Sequence, residues 1–351
     1  MYHFQCDYSE GAHPRIMERL QETNMEQTVG YGEDKYCLDA ALKIGSAIGR
    51  HDVDIHFLTG GTQANMTVIS SILRPYQGVI CATTGHINVH ETGAIEHSGH
   101  KVLALPAVNG LLSADAIDNI MKEHYAEDGP EHTVQPGMVY ISFSSEVGTV
   151  YSLAQLKDIK GVCSKYGLPL FIDGARMGYG LAAEGCDVEL SDIASLADVF
   201  YLGGTKQGAL FGEAVVIVND ALKKDFRYNI KQNGGMLAKG RLLGIQFQTL
   251  FEDGLYFELS RHAVAQAMRI RDAFRAKGYS FLVDSPTNQQ FPILHNDMLE
   301  SLSGKFKFSI WQKVDENHTA VRFCTSWATK ESDVEALCRD LEYVYEGEAY
   351  E

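Results

Sequence analysis

Lys206 and Asp173 are the residues of this chain whose types and surroundings could do chemistry together. Lys206 lies in Val199-Phe-Tyr-Leu-Gly-Gly-Thr-Lys-Gln-Gly-Ala-Leu-Phe-Gly212. Val199 to Leu202 reads as a short buried strand that Gly203 and Gly204 bring to an end. A lysine at the mouth of a buried strand is partly desolvated, which lowers its pKa and makes its amine a nucleophile or a Schiff-base partner. The surrounding glycines let backbone approach a ligand closely. Asp173 ends another apolar run, Leu168-Pro-Leu-Phe-Ile-Asp173, and Gly174 and Arg176 follow at once.

Each residue alone has a plainer reading, the lysine as part of a surface turn and the aspartate as a helix N-cap. Together they say more. In a parallel α/β sheet, ligands sit beyond the carboxyl ends of the strands, so an acid ending one strand and a lysine just after another face one crevice. An amine that can hold an aldehyde, opposite a carboxylate that keeps a ring nitrogen protonated, is the pair a pyridoxal 5'-phosphate enzyme needs.

The elements that must carry this pair alternate along the chain. Strands are expected at Val53 to Leu58, Gly78 to Cys81, Val102 to Leu105, Met138 to Ser142, Pro169 to Asp173, Val199 to Leu202 and Ala214 to Val218. Helices are expected at Pro14 to Thr23, from an Asp34 cap to Ile48 with Leu38, Leu42 and Ile48 on one side, and at Ser113 to Tyr125. Leu153 to Tyr166 carries a capping box, Ser152 with Gln155. Such alternation means an α/β fold with a mainly parallel seven-stranded sheet covered on both faces. Beyond Gly234-Gly235 the pattern changes to helices at Met236 to Phe251 and Tyr256 to Ala276. Short strands at Gln290 to Leu294, Phe306 to Ile310 and Ala320 to Phe323 follow, then a helix from Lys330 to Tyr345. The expected organisation is an N-terminal arm and helix over residues 1–30, a large domain over 31–250 and a small α+β C-terminal domain over 251–351.

Composition narrows the partners. A net charge of -16 argues against nucleic acid or an anionic membrane as main partner, so any anion site must be a local pocket. No apolar run is long enough to span a membrane, and the polar start Met1-Tyr-His-Phe-Gln-Cys-Asp7 is unlike a signal peptide. The 7 scattered cysteines fit a reducing cytoplasm and buried thiols, not a disulfide framework.

Three further stretches carry candidates. Thr59-Gly-Gly-Thr-Gln-Ala-Asn65 feeds a strand into a helix, where free N–H groups and the helix dipole make an anion site and Thr62 adds a hydroxyl. Thr205 offers another hydroxyl beside the lysine. Neither a Walker pattern nor a strand-following Gly-x-Gly-x-x-Gly is present, which disfavours nucleotide binding. His86, in Thr84-Gly-His-Ile-Asn-Val-His-Glu91, could stack on a planar ring or move a proton. A metal reading of His86 and His90 would need glutamate directly after the first histidine, where Ile87 stands; no metal is expected, and His90, His97 and His100 are read as structural. Arg322, a lone charge in Ala320-Val-Arg-Phe-Cys324, calls for a carboxylate partner, either a structural acid or a substrate gripped in the cleft between domains.

With these residues in order, the chain resembles the threonine aldolase/β-eliminating lyase family of pyridoxal phosphate enzymes, which have the aspartate aminotransferase-type fold. The resemblance runs through Gly30-Tyr-Gly-Glu-Asp34, Thr59 to Asn65, Gly85-His86, Phe171 to Arg176, Gly204-Thr-Lys206 and Val321-Arg322-Phe323. It implies Lys206 as the Schiff-base lysine, Asp173 on the pyridine nitrogen, His86 stacked on the ring, and Gly61 and Thr62 on the phosphate, with Thr205 and Arg176 beside the cofactor. Ser9, Arg176 and Arg322 would hold the carboxylate of an amino acid substrate. A homodimer or homotetramer with sites completed across the interface is also implied. Two departures stand out. Ser144-Ser-Glu146 occupies the place of a Thr-His-Asn stretch, so the base becomes His86, Glu146 or a water. Gly234-Gly-Met-Leu-Ala238 lacks an arginine that would serve the phosphate region, for which Lys231 or Lys239 could substitute. The implied reaction is cleavage of a β-hydroxy-α-amino acid to glycine and an aldehyde. β-Elimination from serine-, cysteine- or aromatic-type amino acids is the alternative, and a cofactor-binding protein without turnover the remote one.

Overall fold

Seven strands make the central sheet of the computed structural model, which describes residues 1–126 and 128–344. They are β1 (Asp54–Leu58), β2 (Gln77–Ala82), β3 (Lys101–Leu105), β4 (Gln135–Ser142), β5 (Leu170–Asp173), β6 (Val199–Gly203) and β7 (Glu213–Ile217). Each lies within a residue of its expected limits except β4, which begins earlier, at Gln135. The spatial order is β1-β7-β6-β5-β4-β2-β3. Neighbours from β6 through to β3 pair in parallel, while β7 runs antiparallel to both β6 and β1. Parallel pairing needs long crossovers, and the helices supply them; the antiparallel β6–β7 pair needs only a loop, and that loop carries Lys206.

Two-residue periodicity divides the inner strands between two cores. Val139, Ile141, Ile172, Phe200 and Leu202 pack on one face under the helix Leu153–Tyr166, through its Leu156, Ile159 and Cys163. Met138, Tyr140, Phe171, Val199 and Tyr201 pack on the other, against Ala64, Val68 and Ile69 of the helix Gly61–Ile72. Strands buried on both faces read as continuous apolar runs, which is why they were legible. The same alternation puts Asp173, two residues after Phe171, on the face that Tyr140 and Tyr201 share.

Helix limits follow local chemistry. The Ser152–Gln155 capping box is formed, and Gly167 ends that helix with φ 66°. Asp34 caps Lys35–Ile48 by accepting from the N–H groups of Tyr36 and Cys37 at 3.0 Å each. On that helix the buried stripe is Cys37, Ala40, Ile44 and Ile48, and the expected apolar side is corrected: Leu38 and Leu42 are 60% and 62% exposed. At about 100° per residue Leu38 lies one step round from Cys37, and Leu42 falls further round, nearly opposite the stripe.

The C-terminal lobe differs more from expectation. The expected strand Gln290 to Leu294 is split into Gln289–Gln290 and Ile293–His295, since Pro292 between them has no N–H to give the ladder. Both pieces pair antiparallel with His318–Cys324, which also pairs with Ser309–Lys313. Phe306–Lys307 pairs instead with Tyr2–His3, in parallel. Phe4 consequently lies in the core of this lobe with Phe274, Phe306 and Phe323. The helix expected from Met236 begins only at Arg241, and Gly240 before it is pressed so closely on the backbone of Gly32 that a Cβ would lie 2.4 Å from its nitrogen. The last helix is Glu331–Val344; Tyr345, its expected end, lies outside the described residues. Helices at Leu190–Leu196, Phe226–Gln232 and Asn296–Ser303 were not anticipated. No helix among the described residues is long and apolar enough to cross a membrane.

Candidate active site

β5 and β6 end side by side, and two glycines permit it. Gly203 donates its N–H to the carbonyl of Gly174 at 2.9 Å. A Cβ on Gly174 would fall 1.9 Å from the Tyr201 carbonyl oxygen, and one on Gly203 would fall 2.4 Å from that of Ala175. No other residue fits either position. Asp173 and Lys206 therefore open into one cavity of about 320 Å³ beyond the strand ends. Gly61, Thr62, His86, Glu146, Arg176, Thr205, Tyr201 and Glu213 line it with them.

Asp173 is fully buried and fully satisfied. Its carboxylate accepts from the phenols of Tyr140 and Tyr201 at 2.5 Å each, from the Asn65 amide at 3.1 Å and from the Ala175 N–H at 2.9 Å. Burial alone would push its pKa up; the facing His86 and these donors outweigh that and hold it below its ordinary value. Burial raises both phenols well above their own ordinary range, so they remain donors. The acid is kept as an anion where a cation would meet it.

Burial and the Arg176 charge lower the Lys206 amine, partly offset by Asp7, Asp173 and Glu213. The phenol of Tyr179 donates to the Lys206 carbonyl oxygen and anchors its backbone. Glu213 opens β7 opposite Leu58 and Gly203, accepting from Thr205 Oγ1 at 2.9 Å and the Gly204 N–H at 3.3 Å. Burial pushes its carboxyl up to about 8.

Gly61 and Thr62 stand in the first turn of Gly61–Ile72, where N–H groups have no carbonyl a turn behind them. Gln63 accepts from the N–H and hydroxyl of Thr59, at 3.2 and 2.7 Å, and donates to the Asn233 carbonyl at 3.1 Å, tying this turn to the Gly234-Gly235 loop. Neither Lys231 nor Lys239 lines the cavity, and the Lys231 ammonium lies over the Tyr31 ring at 5.0 Å. His86 Nδ1 is 2.8 Å from Glu91 Oε1. Glu146 accepts from the backbone N–H of His86 at 2.9 Å and from Ser142 Oγ at 2.6 Å, and burial raises its carboxyl.

The three residues expected to grip a carboxylate do not converge as a set. Arg176 reaches the cavity, but its Nε and Nη2 are taken by Asp7 at 2.7 and 3.1 Å. Ser9 is exposed, with its hydroxyl 3.2 Å from Cys6 Sγ, and its neighbour Tyr8 lines the cavity instead. Arg322 lines an adjoining cavity of about 500 Å³ that shares Tyr8, His86, Glu146, Arg176 and Lys206. Its Nη groups donate to Gln289 Oε1 and the Gln5 carbonyl at 3.2 and 3.0 Å, it lies 5.3 Å from the Trp311 ring, and its buried Nε has no partner among the described residues. His90, read as structural, also lines this second space, whereas His100 hydrogen bonds the Gln77 carbonyl at 3.3 Å. Sequence reasoning passed over Tyr140, Tyr201, Asn65, Glu91, Glu213 and Asp7. The period-two face and the quoted Thr59 to Asn65 motif hinted at the first three. No local signal marks Asp7.

A half-buried lysine and a buried aspartate thus share one cavity beyond neighbouring strand ends of this sheet. The chain belongs to the β-eliminating lyase family, whose sequence model matches residues 4–296. It is 31% identical over 350 residues to a low specificity L-threonine aldolase of Pseudomonas sp. (strain NCIMB 10558), covering 97% of each. The solved structure of a threonine aldolase from Leishmania major matches with a TM-score of 0.96 at 43% identity, covering 98% of this chain and 100% of that one. An aspartate aminotransferase of Thermus thermophilus, 13% identical, shares the fold with a TM-score of 0.70 over 97% of this chain and 96% of its own.

Proposed function

We propose that this protein is a pyridoxal 5'-phosphate-dependent lyase that cleaves a β-hydroxy-α-amino acid of the L-threonine or L-allo-threonine type to glycine and an aldehyde. One observation carries the reading: the Lys206 amine and the Asp173 carboxylate share a cavity, in a chain similar throughout its length to threonine aldolases. The donor set fits the cofactor. An ionised, buried Asp173 suits a protonated ring nitrogen, a desolvated amine suits an aldehyde, and the start of Gly61–Ile72 suits a phosphate. When bound, pyridoxal phosphate would supply a ring that accepts the electron pair released as the Cα–Cβ bond breaks.

The chain's own residues have separate tasks around it. Lys206 would hold the group, Asp173 would meet the ring nitrogen, His86 would flank the ring, and Gly61 and Thr62 would hold the phosphate, while Thr205, whose hydroxyl donates to Glu213, would stand beside the lysine. Arg322 offers an unpartnered buried N–H to the substrate carboxylate, and Arg176 supports it from within the Asp7 pair. His86, Glu146 or a water takes the β-hydroxyl proton. A homodimer or homotetramer is part of this reading, supported by the exposed Leu38 and Leu42 on the helix that follows the Gly30 to Asp34 loop, and so is a cytoplasmic location, supported by the free thiols of Cys6, Cys37, Cys81, Cys163, Cys186 and Cys324.

The test is a product-resolved screen with L-threonine, L-allo-threonine, phenylserine, serine and tryptophan. Glycine and an aldehyde are expected from the hydroxy amino acids. Pyruvate and ammonia would favour β-elimination, and no turnover on any substrate would overturn both.

A further inference from the structure

Glu91 has no part in the chemistry described so far, yet its side chain is fully buried against His86, which lines the site. The chain turns sharply after it, with Thr92 at φ 52° and Gly93 at φ 73°, and the carboxylate points inward. Among the described residues both of its side-chain hydrogen bonds go to the site: Glu91 Oε1 meets His86 Nδ1 at 2.8 Å and the Asn65 amide at 2.7 Å. Glu91 Oε2 has no partner there, and no lysine or arginine pairs with it.

Hydrogen counting fixes the rest. The Asn65 Nδ2 group has two hydrogens and faces two carboxylates, Glu91 at 2.7 Å and Asp173 at 3.1 Å, so each takes one. Turned over, Asn65 would set its carbonyl oxygen against both acids. As a carboxylate, Glu91 can only accept from His86, which requires hydrogen on Nδ1. Neutral or protonated, the imidazole keeps that hydrogen. His86 lines both cavities, and with Nδ1 taken by Glu91, Nε2 is left as the nitrogen that gains and loses a proton.

We propose that Glu91 is the positioning residue for His86, holding it as the Nδ1–H tautomer with Nε2 free for proton exchange at the substrate, and that Asn65 ties this pair to Asp173. A carboxylate behind a working histidine sets both its tautomer and its ring orientation. The inference rests on the proposed function only for the task that Nε2 performs.

Two measurements on the holoenzyme test it. In protein labelled with 15N-histidine, the His86 signals, identified by their loss in His86→Asn, should show Nδ1 bearing hydrogen. They should show a mixture in Glu91→Gln, whose amide can present oxygen or NH2 to the ring. In a double-mutant cycle with L-threonine, Glu91→Gln should lower kcat roughly 10- to 100-fold with KM within about threefold. In a His86→Asn background the same change should cost under about threefold. Hydrogen on Nε2 in the wild-type ring, or equal losses in the two backgrounds, would overturn the proposal. The tautomer is read without turnover, so it stands or falls separately from the aldolase assignment, and the wild-type spectrum decides even if Glu91→Gln does not fold.

Discussion

Asp7 and Arg176 form a closed ion pair, with Nε and Nη2 of the arginine on the two oxygens of the acid at 2.7 and 3.1 Å. The pair fastens the N-terminal arm to the loop after β5, and Asn288 adds a bond to Asp7 at 2.9 Å. Burial opposes ionisation of Asp7, but Arg176, Lys206 and these hydrogen bonds prevail and lower it from 3.8 to about 2. A depressed acid contributes stability that is present above its unfolded value and lost as pH falls through its folded one. The urea midpoint of the wild type should therefore drop as pH falls from about 4 to about 2. Asp7→Asn should lack that component and unfold about 3–5 kcal/mol more easily at neutral pH, since it leaves a buried guanidinium uncompensated.

Lys206→Ala should abolish the visible absorption of the bound cofactor and all turnover, because no other lysine among the described residues lines the cavity. An absorption spectrum after cofactor addition and desalting checks this; a retained wild-type band would refute the role of Lys206.

Asp173→Asn should keep cofactor bound while kcat falls about 100- to 1,000-fold, the scale of losing one preorganised charged contact. The new amide would also set its NH2 or its oxygen among Tyr140, Tyr201 and Asn65, all arranged to donate. Steady-state kinetics beside cofactor titration separates the two effects, and near-wild-type kcat would count against the assignment.

Glu213 is raised from 4.5 to about 8 by burial. The folded chain keeps this proton where the unfolded chain releases it, so the contribution is complete below about pH 4.5 and is given up as pH rises through about 8. Glu213→Gln has no proton to lose. Its stability relative to wild type should rise between pH 5 and pH 8.5, measured as paired urea midpoints.

Much of the fold is present in short-range pattern. The strands of the large sheet, the Ser152 box and the Asp34 cap are set by neighbours within a few residues, and each formed as expected. Lys206 and Asp173 were legible for the same reason: each stands at the break between an apolar run and glycines, so strand-end geometry aims them together. Where Pro292 interrupts a strand or Gly240 stands just before a helix start, the local residue held the clue but its weight depended on what packs against it.

What the chain order alone determined is the α/β sheet and the two residues at its mouth, because periodicity of two and glycine breaks act over single turns of backbone. Only the tertiary structure decided that Asp7 occupies Arg176, that Tyr8 and not Ser9 faces the cavity, and that Glu91 stands behind His86. Those contacts depend on where a turn or an arm delivers a side chain in space. Buried charges choose partners by distance and desolvation, which no spacing along the sequence records.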